Sequence, residues 1–293
     1  MDGKLMKPKI DFAFKEIMMD DEVRKGFLSA VLKIKPEDIK ETKILNTYLR
    51  KKHKNDKFGI LDVRILMDDD TEIDVEIQLM VFKAWTSRTL FYVSKMVTEQ
   101  IEEGEDYSEI KKCVSISILD FKLFDDTEEF YSCFHLREDT RNTLYSDKIE
   151  FHVIELPKLP KELKEETSDL LLWSKFLDAE REEEFKMLAE KNVYVGKAYS
   201  KLQNISMDKE KQLEYTARQK EILDYNQLMK EFSDAGRKEG EEIGKKIGKK
   251  IGERDNQYKT ARKSIKAGLP IGLISEITGL PIEEIEKLYA GME

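Results

Sequence analysis

Residues 60–79 read ILDVRILMDDDTEIDVEIQL and carry the clearest fold signal in the chain. Apolar and polar side chains alternate over Ile60–Met67 and again over Ile73–Leu79. This period of two is typical of half-buried strands, because successive side chains of a strand point to opposite faces of the sheet. The link at 68–71, DDDT, is rich in turn-forming residues. We therefore predict that the two strands form a hairpin.

The polar face of this hairpin carries Asp62 on the first strand and Glu76 and Gln78 on the second. A three-residue loop (68–70) would place Asp62 opposite Glu76, and a five-residue loop (68–72) would place it opposite Gln78. A two- or four-residue loop would instead place Asp62 opposite a residue of the apolar face, and no site would form. In both favourable registers two carboxylates lie within reach of one hard cation, and Mg²⁺ is commonly held by one or two carboxylates. The simpler alternative is a solvated strand face that carries acids without any metal.

Charge and composition exclude several classes of protein. The chain has 293 residues, with 51 Lys and Arg against 60 Asp and Glu, so its formal net charge is -9. A globally basic nucleic-acid binder is therefore excluded, and contact with DNA would need a local basic patch or a metal-neutralised acidic site. No apolar run reaches the roughly 18 residues that a membrane span requires, so we predict no membrane partner.

The termini and the metal-binding residue types point to a reducing compartment. Met1–Pro8 contains no apolar run, which predicts that there is no secretory signal and that the protein is cytoplasmic. Cys113 and Cys133 form no CxxC pair. The three histidines are scattered along the chain, so the spacing predicts neither a disulfide framework nor a structural zinc site.

Hydrophobic patterns give the order of elements around the hairpin. They predict a helix at 10–32, a strand near 44–49, a helix at 85–103, and strands at 113–119 and 149–156. Helices and strands thus occur in the order helix, three strands, helix, two strands. This order predicts an α/β domain with a mostly helical region after it.

Asp62, followed after thirteen residues by Glu76-x-Gln78, resembles the D…(D/E)xK signature of the PD-(D/E)XK nuclease superfamily, with Gln where Lys is usual. Further fragments are similar to the Rpn family of recombination-promoting nucleases, also described as transposases. In family order they are DFAFK (11–15), GILDVR (59–64), DVEIQ (74–78), Ser87-Arg88, Phe91-Tyr92, Gln100, Gly104, Tyr107, ELPK (155–158) and Leu172-Trp173. This resemblance covers residues 1–180.

The resemblance implies a restriction-endonuclease-like core sheet flanked by helices. It also implies a metal-dependent DNA endonuclease, acting in recombination or on mobile or foreign DNA, with Mg²⁺ as cofactor and Mn²⁺ as a substitute. Asp62 and Glu76 would hold the metal, and Gln78 would orient the attacking water. A neutral amide can donate and accept hydrogen bonds but lacks the positive charge of lysine.

Four further residues complete the site that the sequence suggests. Asp11 is a candidate third catalytic acid, with Lys15 one helical turn later as a substrate-binding residue; the alternative for Asp11 is a helix cap or an Asp/Lys pair. Arg88 is a candidate phosphate clamp supported by Tyr92, which lies one turn on in the same helix; the alternative is a surface Arg packed on a ring. The basic run at 50–54 is a candidate contact to the DNA backbone, although such runs are more often solvated.

The C-terminal region divides into a charged helical extension (181–235), a segment with Gly at every fourth residue (236–256) and a helix-turn-helix-like module (257–293). The glycine segment is either a helix that joins protomers into a homo-oligomer or a plain linker. Residues 243–266 carry nine Lys and Arg against two acids, net +7, which could engage phosphates. The last helix of the module is acidic, which favours packing over DNA reading. The alternative function for the whole chain is a non-catalytic DNA- or protein-binding, oligomerising protein on a degenerate nuclease fold.

Overall fold

The computed structural model describes residues 5–49 and 59–291 of the chain. The strands in these ranges are β1 (Thr42–Leu45), β2 (Tyr48–Leu49), β3 (Gly59–Ile60), β4 (Val63–Met67), β5 (Glu72–Gln78), β6 (Cys113–Leu119), β7 (Tyr131–Arg137) and β8 (Leu144–Glu155). Six of them form one mixed sheet in the order β1-β4-β5-β6-β8-β7, and β2 pairs separately with β3. The predicted α/β core sheet is thereby confirmed.

Strands β4 and β5 form the predicted hairpin. The backbone amide of Met67 donates to the carbonyl of Thr71 at 2.9 Å, which closes a three-residue loop at 68–70. The antiparallel register that follows from this loop places Asp62 opposite Glu76. The structure thus selects the first of the two favourable registers, and both acids lie on one face of the sheet.

The centre of the sheet is parallel, because β5, β6 and β8 run in the same direction. Every residue of β6 is buried, as expected for a strand covered on both faces. Helix α3 (Trp85–Glu99) connects β5 to β6 and covers the face that carries Glu76. The prediction that this helix reaches residue 103 is wrong: after Glu99 the side-chain oxygen of Gln100 accepts the amide of Lys111 at 2.8 Å, and the chain turns back towards β6.

The opposite face of the sheet packs on helices α1 (Asp11–Met18) and α2 (Asp21–Leu32). The prediction of one helix over 10–32 is wrong, because Asp20 has an extended backbone between the two helices. Its carboxylate accepts the amide of Val23 at 3.2 Å and so caps the start of α2. A capping side chain satisfies an otherwise unpaired amide, which favours a new helix start over continuation of the first helix.

Two strand predictions also needed correction. The strand predicted near 44–49 is divided between β1 and β2, and the strand predicted at 149–156 begins earlier, at Leu144. Strand β7, at the sheet edge, was not predicted at all. It is largely half-buried or exposed and mixes polar with apolar side chains, so it lacks the alternation that marks the other strands.

Helices after the sheet complete the core. They are α4 (Asp169–Asp178), α5 (Glu182–Lys191), α6 (Val193–Met207) and α7 (Lys209–Lys266). Edge-on aromatic contacts link Phe27 to Trp173, Trp173 to Phe176, and Phe176 to Phe185. The Leu172-Trp173 fragment of the family resemblance therefore lies at the centre of the hydrophobic core.

The chain divides into two compact units, residues 1–222 and residues 223–293, with the boundary inside α7. In the second unit the glycine-repeat segment lies wholly within α7. Helices α8 (Ile271–Thr278) and α9 (Ile282–Ala290) pack with the end of α7 around a small apolar core. Its buried members are Ala261, Ile274, Leu280 and Ile285. Among the helices of the two described ranges, none has the length and hydropathy needed to cross a bilayer.

Candidate active site

Asp62 and Glu76 are held together by two hydrogen bonds at the end of the β4–β5 hairpin. The backbone amide of Asp62 donates to Oε1 of Glu76 at 2.8 Å, and the amide of Ile77 donates to Oδ2 of Asp62 at 3.2 Å. The carboxylate of Glu76 is 2% exposed, whereas that of Asp62 is 22% exposed. The pair thus has one buried member and one member that opens to solvent.

Each of these carboxylates has its own basic partner. Nζ of Lys15 lies 3.1 Å from Oδ1 of Asp62, and Nη2 of Arg88 lies 3.2 Å from Oε2 of Glu76. Helices α1 and α3 therefore bring two positive charges to the acids from two different elements. Both residues were candidates from the sequence, and the structure brings them together with Asp62 and Glu76.

Arg88 is positioned by aromatic side chains. Its Nε donates to the hydroxyl of Tyr92 at 2.9 Å. Its guanidinium carbon lies 5.3 Å, 5.2 Å and 5.9 Å from the ring centres of Trp85, Tyr92 and Phe82. A guanidinium over aromatic faces is held by cation–π attraction and keeps its remaining N–H groups free to bind anions. The sequence-based pairing of Arg88 with Tyr92 is seen in the structure.

Asp74 shares a strand face with Glu76 at a spacing of two residues, and the sequence places it in the acidic cluster around the predicted metal site without a role of its own. It is fully buried, and neither of its carboxylate oxygens has a hydrogen-bond partner in the described ranges. Burial, reinforced by the negative charges of Glu76 and Asp62, raises the pKa of Asp74 well above its ordinary value.

Burial also raises the pKa of Glu76, to about 8, and the neighbouring charge of Asp62 adds to this rise. Three acidic side chains are thus clustered, and the two basic side chains in contact with them neutralise only part of their negative charge. An oxygen-rich donor set with unpartnered carboxylate oxygens suits a hard divalent cation such as Mg²⁺. The residues present therefore fit the metal that the family resemblance implies.

Gln78 ends β5 two residues after Glu76, and its side-chain amide donates to the carbonyl of Met80 at 3.1 Å. It is half-buried at the same end of the strand as the acids. The positive charge that lysine would bring to this position is absent. The ammonium of Lys15 supplies a positive charge to the same pair of acids from α1.

Asp11 is engaged by a basic side chain of α7. It forms a bidentate ion pair with Arg218 of α7, with oxygen–nitrogen distances of 2.7 Å to 3.0 Å. It does not cap α1, whose N-cap position is Ile10. The catalytic role of Asp11 stays a prediction. The basic residues 50–54 lie outside the described residues.

One motif of the family resemblance has a structural role. Glu155 and Lys158 form a buried ion pair of 2.8 Å. The same carboxylate accepts the amides of Leu123 and Phe124 at 2.6 Å and 3.2 Å, and the ammonium donates to the carbonyl of Phe124 at 2.6 Å. The ELPK fragment thus fastens the segment that follows β6 to the end of β8.

The fold is a mixed sheet with helices on both faces, and one of its β-hairpins carries Asp and Glu-x-Gln at one end. These features define a nuclease-like protein of the PD-(D/E)XK class. The chain belongs to the family described as PD-(D/E)XK nuclease family transposase, whose model matches residues 8–231. This match confirms the family resemblance that the sequence fragments indicated. Comparisons with curated proteins and with solved structures found no match.

Proposed function

We propose that this protein is a Mg²⁺-dependent endonuclease that hydrolyses phosphodiester bonds of DNA, in recombination or in the processing of mobile or foreign DNA. Family membership supports a nuclease-like role. The observation that carries the finer proposal is the convergence of Asp62 and Glu76, each with a basic side chain in contact. In metal-dependent nucleases, acidic side chains bind the cation and basic side chains contact the phosphate.

Asp62 and Glu76 would hold Mg²⁺, or Mn²⁺ in its place. The bound metal would polarise the scissile phosphate and lower the pKa of a coordinated water. Metal binding would also release Lys15 and Arg88 from their carboxylate partners, because the cation takes over the neutralisation of the acids. The two basic groups would then be available for the phosphate oxygens of DNA.

Each remaining side chain has a task in this proposal. The planar fork of Arg88 can bind two phosphate oxygens at once, and its bond to Tyr92 keeps the fork in place. The amide of Gln78 can orient the attacking water, since it both donates and accepts. Asp11 would act as a third acid only after its ion pair with Arg218 opens.

We also propose that α7 contributes to DNA binding and to self-association. The basic residues of 243–266 favour contact with a phosphate backbone. Ile243, Ile247 and Ile251 are 50%, 53% and 62% exposed along one side of this helix. Apart from the neighbouring backbone of α7 itself, a Cβ added at any of the five repeat glycines would meet no atom within 4 Å in the described part of the chain, so there is room for the close approach of a second helix. Light scattering of the full chain and of an Ile247→Glu variant tests the oligomer, which the charge should weaken.

Nicking of supercoiled plasmid tests the endonuclease proposal. The full chain should nick DNA with Mg²⁺ and not without it. Asp62→Asn should abolish nicking, because the new side chain brings no negative charge to the metal. The variant should still fold, since its side-chain oxygen can accept the backbone N–H of Ile77. Asp126→Asn, at an exposed position, is the matched control and should cleave like the wild type.

Two results would contradict the proposal. Equal cleavage by the wild type and Asp62→Asn would refute the assignment of the site. A folded wild type that never cleaves would favour a non-catalytic binding protein on a degenerate nuclease fold, the alternative to which the absence of lysine at Gln78 points.

A further inference from the structure

A second cluster of metal-ligand side chains lies at the far edge of the sheet. In the antiparallel β7–β8 ladder, Cys133 pairs with His152 and His135 pairs with Glu150. Residues two apart on a strand share a face, so the four side chains lie on one face of the two-stranded ladder. Two of the three histidines that are scattered in the sequence, His135 and His152, are therefore brought together by strand pairing.

The ligand atoms are already at distances that suit one metal ion. One ligand atom from each of Cys133, Glu150 and His152 lies within 4.8 Å of the others. Oε1 of Glu150 is 3.0 Å from Nε2 of His152, 3.4 Å from Nε2 of His135 and 3.5 Å from Sγ of Cys133. Tetrahedral zinc, with bonds of about 2.0–2.3 Å, holds its ligand atoms roughly 3.3–3.8 Å apart. The atoms of Cys133, Glu150 and His152 lie close to this spacing, and His135, which already contacts Glu150, would join them by a movement of its imidazole.

His152 is oriented as a metal ligand would be. Its side chain is 2% exposed, and Nε2 points at the other ligand candidates, 3.0 Å from Oε1 of Glu150. Nδ1 lies 2.8 Å from the hydroxyl of Tyr131, whose ring stacks on the imidazole. Metal-binding histidines commonly engage the second ring nitrogen in this way, which leaves the first free to bind the metal.

A basic side chain also contacts the cluster. The ammonium of Lys112 pairs with Oε2 of Glu150. This contact leaves Oε1, the oxygen that faces the two histidines and the thiol, available for a metal.

We propose that Cys133, His135, Glu150 and His152 bind one Zn²⁺ ion. A thiol, two imidazoles and one carboxylate form a donor set for zinc, whereas Mg²⁺ prefers oxygen donors alone. Zinc binding releases the thiol proton of Cys133 to solvent, because the thiolate is the ligand. Four protein ligands leave no open position, so the ion has a structural role and ties edge strand β7 to β8.

Cobalt substitution tests the site in the full chain. The metal-stripped protein is titrated with Co²⁺ and followed by absorption. We expect one equivalent to produce a thiolate-to-cobalt charge-transfer band and the intense visible bands of tetrahedral cobalt, and Zn²⁺ to displace both. Cys133→Ser should lose the charge-transfer band. Cys113→Ala, which removes the other thiol of the chain, and Asp62→Asn should both retain it.

If Cys133→Ser does not fold, His135→Gln provides a second test at a partly exposed position. This variant should weaken Co²⁺ binding at least about tenfold and alter the visible bands. Absence of a charge-transfer band in the wild type would overturn the proposal. So would a band that persists in folded Cys133→Ser, or an unchanged affinity in His135→Gln.

Discussion

The burial of Glu76 predicts an unusual dependence of stability on pH. Its carboxylate is 2% exposed, and its pKa is raised from 4.5 to about 8 by burial and by the charge of Asp62. The folded protein therefore keeps a proton that the unfolded chain loses at lower pH. The stabilising effect of this proton is complete below the pKa of Glu76 in the unfolded chain. It is lost as pH rises through the pKa of Glu76 in the folded protein. Without metal, the first compact unit should become less stable between mildly acidic and mildly basic pH.

The replacement Glu76→Gln removes this titration while keeping the shape of the side chain and an oxygen to accept the amide of Asp62. A difference of one bound proton changes the free energy of unfolding by about 1.4 kcal/mol per pH unit. Because the slope fades as pH approaches the folded pKa, the wild type should lose about 2 kcal/mol more than the variant between about pH 6 and about pH 8.

Urea unfolding in the presence of a chelator measures this difference. Tryptophan fluorescence reports on the first compact unit, since Trp85 and Trp173 are both buried there. Glu128→Gln, at a carboxylate that is 88% exposed, is the control and should follow the wild type. Parallel pH profiles for the wild type and Glu76→Gln would refute the account of a buried acid beside a second acid.

Three further substitutions test other parts of the account. Lys158→Met leaves the buried charge of Glu155 uncompensated, so we expect the free energy of unfolding to fall by about 3–5 kcal/mol in a urea titration. A loss well below 1 kcal/mol would contradict the buried ion pair. Gln78→Lys adds a positive charge beside the acids and should raise the plasmid nicking rate by about tenfold or more, whereas a lower rate would argue that the amide has a specific task. Arg88→Ala should lower kcat/KM for plasmid nicking about 100-fold, because a phosphate ligand is lost, and an unchanged value would place Arg88 outside the substrate path.

Local sequence patterns predicted the elements that they specify directly. Alternation of apolar and polar side chains located β4 and β5, and loop length limited the hairpin to a few registers. The division between α1 and α2 could not be read from hydrophobic spacing, because both helices keep apolar residues at helical intervals. The deciding interaction is the cap that Asp20 forms with a single amide.

The candidate site shows the same limit. Asp62 and Glu76 belong to one hairpin, so a turn of known length suffices to bring them together. The ion pair of Asp11 with Arg218 joins residues 207 positions apart, and no local pattern signals it. The cluster of Cys133, His135, Glu150 and His152 was missed because it depends on the pairing of β8 with an edge strand that has no clear alternation.

We infer that Asp62 and Glu76 form a site for a divalent cation. Calorimetric titration of the full chain with Mg²⁺, compared with the double variant Asp62→Asn/Glu76→Gln, tests this inference without relying on cleavage. We expect saturable binding by the wild type and none by the double variant, with both proteins folded. Equal binding by both proteins, or no binding by the wild type, would contradict it.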